Sequence, residues 1–183
     1  MKERINRWIS EFIAEYSKRS EISTEWGEPI VGFADAYSPY IQNLPELISS
    51  SHGLPQDIME DAASVIAYFV PFTRALAKSN NNGGEYASEQ WANAYEQTNA
   101  MFGRLNSYII DKLSEYGYMG AVHPAAGTFD HDNLISDWSF RHFAYAAGLG
   151  TFGLNNMLIT PKGCCGRYNT IVTNLDVSAD KPM

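Results

Sequence analysis

The chain has 183 residues, enough for one ordinary domain with its own core, and a content of 45% hydrophobic and 13% aromatic residues excludes a disordered polymer. Its 13 Lys and Arg against 21 Asp and Glu leave a net charge of −8 with the basic residues scattered, which argues against a nucleic-acid surface on this domain. No apolar run approaches the roughly 20 residues that span a bilayer, Glu3, Glu11 and Glu15 break any apolar leader, and the only cysteines, Cys164 and Cys165, are neighbours; a reduced, cytoplasmic protein is expected.

Ile5, Trp8, Ile9, Phe12, Ile13 and Tyr16 recur at helical spacing and predict an amphipathic helix over 2–19. A polar connection, 20–28, leads to a buried strand over 29–35. Tyr37, Pro39 and Tyr40 open a short helix that ends near the serines at 49–51, and 52–55 reads as a loop. The apolar run 65–70, closed by Pro71, predicts a central strand. The asparagine–glycine stretch 80–84 is a flexible loop. Ser88 then caps a long helix with Trp91, Tyr95, Phe102, Leu105, Ile109 and Leu113 on one face, and Gly117 ends it. A short strand over 119–122 and a turn-rich stretch, 124–133, follow. The expected class is α+β: one domain over 1–183, its sheet covered by long helices on one or both faces.

Residues 136–174 carry most of the functional information. Ser136 or Asp137 is placed to cap a helix, and Gly148 is placed to end it in the left-handed conformation. Gly150, Thr151 and Gly153 follow, then Asn155 and Asn156, an apolar strand-like run at 157–160, the loop 163–167 and a second strand. Glycines this dense let backbone approach a ligand or another chain segment; a tight helix-to-strand corner without a ligand is the plain alternative.

Arg141, the run Ala147, Gly148, Leu149, Gly150, then Gly153, Asn156 and Met157 to Ile159 resemble the signature of the epoxyqueuosine reductase family and its iron–sulfur relatives. Weaker likeness runs from Leu54 and Pro55 through Ser64, Val65 and Ile66 to Pro71 and Phe72, and along the helix from Tyr95 to Gly117 and Tyr118, so about two-thirds of the chain is covered. The resemblance implies a corrinoid-binding domain of nitroreductase-like architecture, with a mixed or antiparallel sheet flanked by long helices. In that family it precedes a ferredoxin-like module holding [4Fe–4S] clusters. Such clusters need cysteine runs of the C-x2-C-x2-C-x3-C-P kind, and two adjacent thiols do not supply one. The chain is therefore expected to be either a cofactor domain cut from its electron-entry module, the favoured reading, or a relative that lost that module, and no cluster is expected on it. The family's proton-donating aspartate falls thirteen residues before the AGLG run, where Leu134 stands; Asp130, Asp132 and Asp137 flank that position.

On this resemblance the cofactor-binding set is Arg141, His142, Gly148, Gly150, Thr151, Gly153, Asn155, Asn156, Cys164, Cys165 and Arg167, with Asp137 or Asp132 as general acid if burial brings its pKa toward neutrality. Each has a plainer reading. Arg141 and His142 are costly to bury unpaired; the arginine either bridges to a core carboxylate or clamps an anion or amide arm of a cofactor. Asn155 and Asn156 either close a turn or meet the amide arms of a corrinoid or the edge of a flavin. The loop 163–167 is a plain hairpin or presents a thiol to a cofactor or redox partner, the thiols staying neutral for want of a visible base. His123, Asp130, His131, Asp132 and His142 lie close in sequence without metal-ligand spacing, and no metal is assigned. Tyr37 and Tyr40, just after a strand, stand where loops often meet ligands.

The leading reading is thus an oxidoreductase domain that binds a cobalamin-type corrinoid, acts on a small-molecule substrate and receives electrons from a ferredoxin-like module or another donor. The rivals are a non-enzymatic corrinoid- or flavin-binding module and a structural domain without a ligand. Residues 148–156 are expected to rim the main concavity, near Arg141 and the loop 163–167. An apolar face left uncovered near Val177 and 148–152 is expected to drive homodimer formation.

Overall fold

The computed structural model describes residues 1–82, 84–124, 129–130, 132 and 135–183. Its centre is β2 (Ser64–Pro71), all eight residues of which are buried. On one side it pairs antiparallel with β1 (Ile30–Asp35), on the other with β8 (Gly166–Thr173), and β8 pairs in turn with the two-residue β3 (Gly120–Ala121). The order β1-β2-β8-β3 makes an antiparallel sheet whose central pair is distant in sequence, so the expected class and the central place of 65–70 hold.

Side chains alternate across a strand, and β2 uses both faces. Ile66, Tyr68 and Val70 join one core with α1 (Lys2–Tyr16) and α6 (Glu89–Ser114). Val65, Ala67 and Phe69 join a second core with α2 (Pro39–Gln42), α3 (Leu44–Leu47) and α7 (Phe140–Ala146). A strand packed on both faces reads as an unbroken apolar run. Each large side chain buried this way contributes roughly 1.5–3 kcal/mol, and truncating Leu105 or Ile66 to Ala costs about 2–5 kcal/mol. The polar end of Tyr68 is satisfied inside the first core, its hydroxyl donating to Asn106 Oδ1 at 2.6 Å.

The long helices sit on one face only, which narrows the expectation. The α1 helix ends at Tyr16 rather than 19, and Ser17 to Arg19 continue as turns. In α6 the Ser88 hydroxyl accepts the Trp91 N–H at 3.1 Å, as its cap position predicts, and Gly117 has φ 81°. Tyr95, expected on the packed face, is 42% exposed. The other face carries α7 and, in place of the one short helix expected from Tyr37 to the serines at 49–51, the two turns of helix α2 and α3; α4 (Pro55–Ile58) and α5 (Arg74–Ser79) were not expected.

The α7 helix starts later than expected. Ser136 belongs to β5 (Ile135–Ser136), paired with β4 (Phe129–Asp130), and Ser139 holds the N-cap position. Its end follows the expectation: Gly148 has φ 72°, its N–H bonds the Tyr145 carbonyl and the Leu149 N–H bonds the Ala144 carbonyl, the paired pattern of a glycine-terminated helix. The chain then forms the hairpin of β6 (Thr151–Phe152) and β7 (Leu158–Ile159). Beyond β8 the tail runs back to the edge of β1, where Asp180 exchanges bonds with Phe33. Among the described residues no helix is long and apolar enough to cross a membrane.

Candidate functional site

Two adjoining pockets flank Phe140, where the start of α7, the middle of α6 and the first half of β8 meet. One, of about 400 Å³, is lined by Ser136, Ser139, Arg141, Met157 and Gly166 among others. Its neighbour, of about 430 Å³, is lined by Asn99, Asn106, Asn169, Tyr95 and His123 among others. Phe140, Arg167 and Tyr168 border both. A larger pocket of about 500 Å³ opens between α5 and the N-terminal end of α6. It is lined by Glu25 and Glu89 with small hydroxyl side chains and has no cation, aromatic ring or histidine in its wall. A further pocket, of about 440 Å³ beside α1, is lined by Lys18, Trp26 and Glu28 among others, but the arginines, histidine and amides gather at the Phe140 pair.

Arg141 does not bridge to a core carboxylate among the described residues. Its Nη1 donates to the Asn156 carbonyl at 2.7 Å and lies 3.8 Å from Met157 Sδ, fastening the β6–β7 hairpin to α7. Arg167 opens β8; its Nη2 donates to Asn99 Oδ1 at 3.0 Å, and its guanidinium lies over the Tyr95 ring, 4.2 Å from the centroid.

His142 is half-buried against Phe152, with Nδ1 2.6 Å from Ser139 Oγ. Burial, then the Arg141 charge and His52, push its pKa down to about 4, so it is neutral at pH 7. His52, which sequence reading placed in a plain loop, is buried, stacked on Trp138 and tilted against Phe143. The His123 ring also stacks on Trp138, with ring centroids 4.9 Å apart. His123 Nδ1 and Asp137 Oδ1 are buried without a hydrogen-bond partner among the described residues. Asp132 is exposed. His131 and Leu134 lie outside the described residues, and among those described no three His, Cys, Asp or Glu side chains converge as a metal site.

The glycine corner packs chain against chain. The open side of Gly148 faces the Lys181 carbonyl at 2.5 Å from where a Cβ would stand, that of Gly150 faces the Ile159 carbonyl, and Gly153 lies against the Ile159 side chain. Residues 148–156 line neither pocket of the Phe140 pair; Met157 is the part of the hairpin that does. Thr151, Asn155 and Asn156 are exposed, with Asn155 Oδ1 accepting the Met157 N–H and Asn156 at φ 59°, so both asparagines shape the turn. Tyr37 is exposed, while Tyr40 packs on Tyr145. Cys164 is half-buried and Cys165 exposed; partial burial, then Cys164, raise the Cys165 thiol pKa. The hairpin exposes Leu154 and Ile159, whereas Val177 is half-buried with its N–H at Ser64 Oγ.

Of the site residues named from the sequence, Arg141 and Arg167 line the pocket pair and Asp137 does not; Asn99, Asn106, Asn169 and Tyr168, which also line it, and the buried His52 were not named as such. One signal was available: Asn99 and Asn106 stand seven residues apart, two turns along α6, where polar side chains interrupt an apolar helix face. Tyr168, with its hydroxyl donating to the Leu158 carbonyl at 2.7 Å and its ring on Phe69, is fixed by contacts that only the fold creates.

No family model and no curated protein matches the sequence. Solved structures do match in fold. An epoxyqueuosine reductase from Streptococcus thermophilus is 17% identical with a TM-score of 0.58, the match covering 100% of this chain and 48% of that one. A selenomethionine-labelled epoxyqueuosine reductase is 14% identical with a TM-score of 0.56, covering 98% and 48%. A reductive dehalogenase described in connection with B12-dependent dehalogenation is 17% identical with a TM-score of 0.53, covering 84% and 20%. The chain spans about half the length of those reductases and a fifth of the dehalogenase. The expected likeness to epoxyqueuosine reductases is therefore present in the fold, an α+β domain shared with epoxyqueuosine reductases and with a B12-linked reductive dehalogenase.

Proposed function

We propose that this domain binds a corrinoid of the cobalamin type across the paired pockets around Phe140 and serves as the redox domain of an epoxyqueuosine reductase-like protein of nitroreductase-like architecture. The observation that carries the reading is the wall of those pockets: the amides of Asn99, Asn106 and Asn169, the two arginines and the rings of Tyr95, Phe140 and Tyr168. A corrinoid presents a broad apolar ring with amide arms at its rim, and amide and guanidinium groups on an aromatic floor fit that donor and acceptor set. When bound, the corrinoid supplies the redox chemistry, and the protein orients it and controls water and protons.

In this reading Arg141 and Arg167 hold polar arms, and neutral His142 keeps the Ser139 hydroxyl fixed at the start of α7. Asp137, half-buried beside the first pocket, is the preferred proton-handling group over the exposed Asp132. The substrate is a small molecule. Electrons arrive from a ferredoxin-like [4Fe–4S] module in the cytoplasm, docked near the exposed Leu154 and Ile159.

The test is optical. Titration with hydroxocobalamin is expected to shift the cofactor's absorbance bands, with the shift weakened by Asn99→Leu and by Arg167→Leu. An unchanged spectrum together with no retention of corrinoid on gel filtration sinks the reading. Binding without turnover, when a strong reductant and a ferredoxin are both supplied, favours a carrier or interaction module instead.

A further inference from the structure

We infer that Arg141 and Arg167 form a subsite for a phosphate group in the pocket of about 400 Å³ beside Phe140. Both arginines line that pocket with the hydroxyl-bearing Ser136 and Ser139, and none of its lining residues is an aspartate or glutamate. This is unusual in a chain with a net charge of −8, where chance favours a carboxylate beside any cation.

The hydrogen bonds sharpen the point. A guanidinium has five N–H donors. Arg141 spends Nη1 on the Asn156 carbonyl, and Arg167 spends Nη2 on Asn99. Neither is within ion-pair distance of a carboxylate among the described residues, a state they share with Arg4, Arg19, Arg74, Lys78, Arg104 and Lys181; what sets Arg141 and Arg167 apart is that both line this one pocket. Both side chains are half-buried, and both are held in place: Arg141 by the hairpin backbone, Arg167 by the face of Tyr95. Both charges stand on the lining of one pocket, where each attracts an anion. Arg141 also helps to hold His142 neutral, so the charge on this wall is carried by the two guanidiniums.

A planar carboxylate is matched by a single guanidinium fork. A tetrahedral phosphate accepts from two forks on separate sides, and both arginines line this pocket. Such a group belongs either to the nucleotide arm of a corrinoid or to a separate phosphorylated substrate. The subsite does not depend on which, so it stands or falls separately from the corrinoid reading.

The probe is inorganic phosphate, added to the full chain at constant ionic strength while the arginine side-chain N–H signals are followed by NMR. Two arginine signals are expected to move together and saturate. Arg141→Gln and Arg167→Gln are each expected to weaken the binding about ten- to hundredfold, with Arg167→Lys falling between. Thermal melts verify that each variant is folded, and the wild-type signals give the answer without any variant. A second arm compares cobalamin, which carries a phosphodiester, with cobinamide, which lacks it. A cobalamin preference that disappears in Arg167→Gln assigns the phosphate to the corrinoid arm, and equal binding of the two assigns it to a substrate. No movement of the arginine signals, or phosphate binding that both glutamine variants leave unchanged, overturns the subsite.

Discussion

His52 Nε2 accepts the backbone N–H of Ser139 at 3.0 Å, a bond between residues 87 apart in sequence. Because a backbone amide can only donate, Nε2 must be unprotonated, and Nδ1 carries the hydrogen it donates to the Gly53 carbonyl at 2.8 Å. One neutral tautomer of a buried histidine thus ties the loop before α4 to the first residue of the α7 cap. That tie sets where Arg141, His142 and Phe140 stand.

It also makes the site sensitive to acid. Burial lowers the pKa of His52, and His142 is pushed down to about 4. A histidine whose folded-state pKa lies below its unfolded value of about 6.5 contributes stability that is fully present above that value. The contribution is lost as pH falls toward the folded value, because only the unfolded chain takes up the proton readily. Melting temperature is therefore expected to drop between about pH 6.5 and about pH 4. His52→Gln retains a donor and an acceptor but does not titrate, so its melting curve is expected to lose less between pH 7 and pH 5 than the wild type does. Identical pH slopes for the two proteins contradict the assignment. His52→Ala leaves the Ser139 N–H unpaired and is expected to cost about 1–3 kcal/mol at neutral pH.

The same bond explains what was legible in the sequence and what was not. Features written in neighbouring residues came through: the Ser88 cap, the buried run of β2 and the left-handed Gly148. The hairpin expected about the loop 163–167 did not form, because β7 pairs back onto β6 while β8 pairs with β2 and β3. Ser136 and Asp137 looked like caps because both residue types cap helices, but the chain at 136 is claimed by pairing with Phe129, and the helix waits until a histidine 87 residues upstream reaches Ser139. In the site, the arginines stood out by type, whereas Asn99 meets Arg167 only because β8 lies across α6. The dense glycines were legible as close approach; that the approaching atoms are Ile159 and Lys181 is tertiary information.

The glycines give a contrast in sign. Gly150→Ala places a methyl group on the Ile159 backbone, and Gly148→Ala forces a left-handed residue beside the Lys181 carbonyl. Each is expected to destabilise by more than about 1 kcal/mol. Gly103 lies inside α6, and nothing comes within 4 Å of where its Cβ would stand. Gly103→Ala is expected to stabilise by about 0.5–1 kcal/mol. Urea unfolding of the three variants checks the pattern, and a stabilised Gly150→Ala removes the close-packed account of this corner.

Asp180 closes the edge of the sheet. Its Oδ2 accepts the Phe33 N–H at 2.9 Å, its own N–H donates to the Phe33 carbonyl at 2.7 Å, and Oδ1 pairs with Lys2 at 2.8 Å. The carboxylate stands in for the carbonyl of a neighbouring strand. Asp180→Asn loses the half-buried ion pair but retains an acceptor, and is expected to cost about 1 kcal/mol. Asp180→Ala leaves the Phe33 N–H unpaired, with an expected cost of about 1–3 kcal/mol and faster hydrogen exchange at that amide. Equal costs for the two, with Phe33 exchange unchanged, show that the tail is not holding the edge.

The two thiols lie just before β8, and among the described residues neither is bonded to an activating base. Partial burial, then the neighbouring Cys164, raise the pKa of Cys165, so its thiolate is scarce at pH 7 despite its exposure. Alkylation of Cys165 by iodoacetamide is expected to be slow at neutral pH and to accelerate as pH rises. Cys164→Ser, by removing one cause of the shift, is expected to speed the reaction at pH 7. Rapid labelling of the wild type at neutral pH, unaffected by Cys164→Ser, contradicts this. The same two thiols are expected to leave the purified chain without a [4Fe–4S] cluster, because four thiolates are the usual ligand set. Iron and acid-labile sulfide analysis decides that point, and four irons per chain would show that the cluster is held by a route that two adjacent cysteines do not suggest.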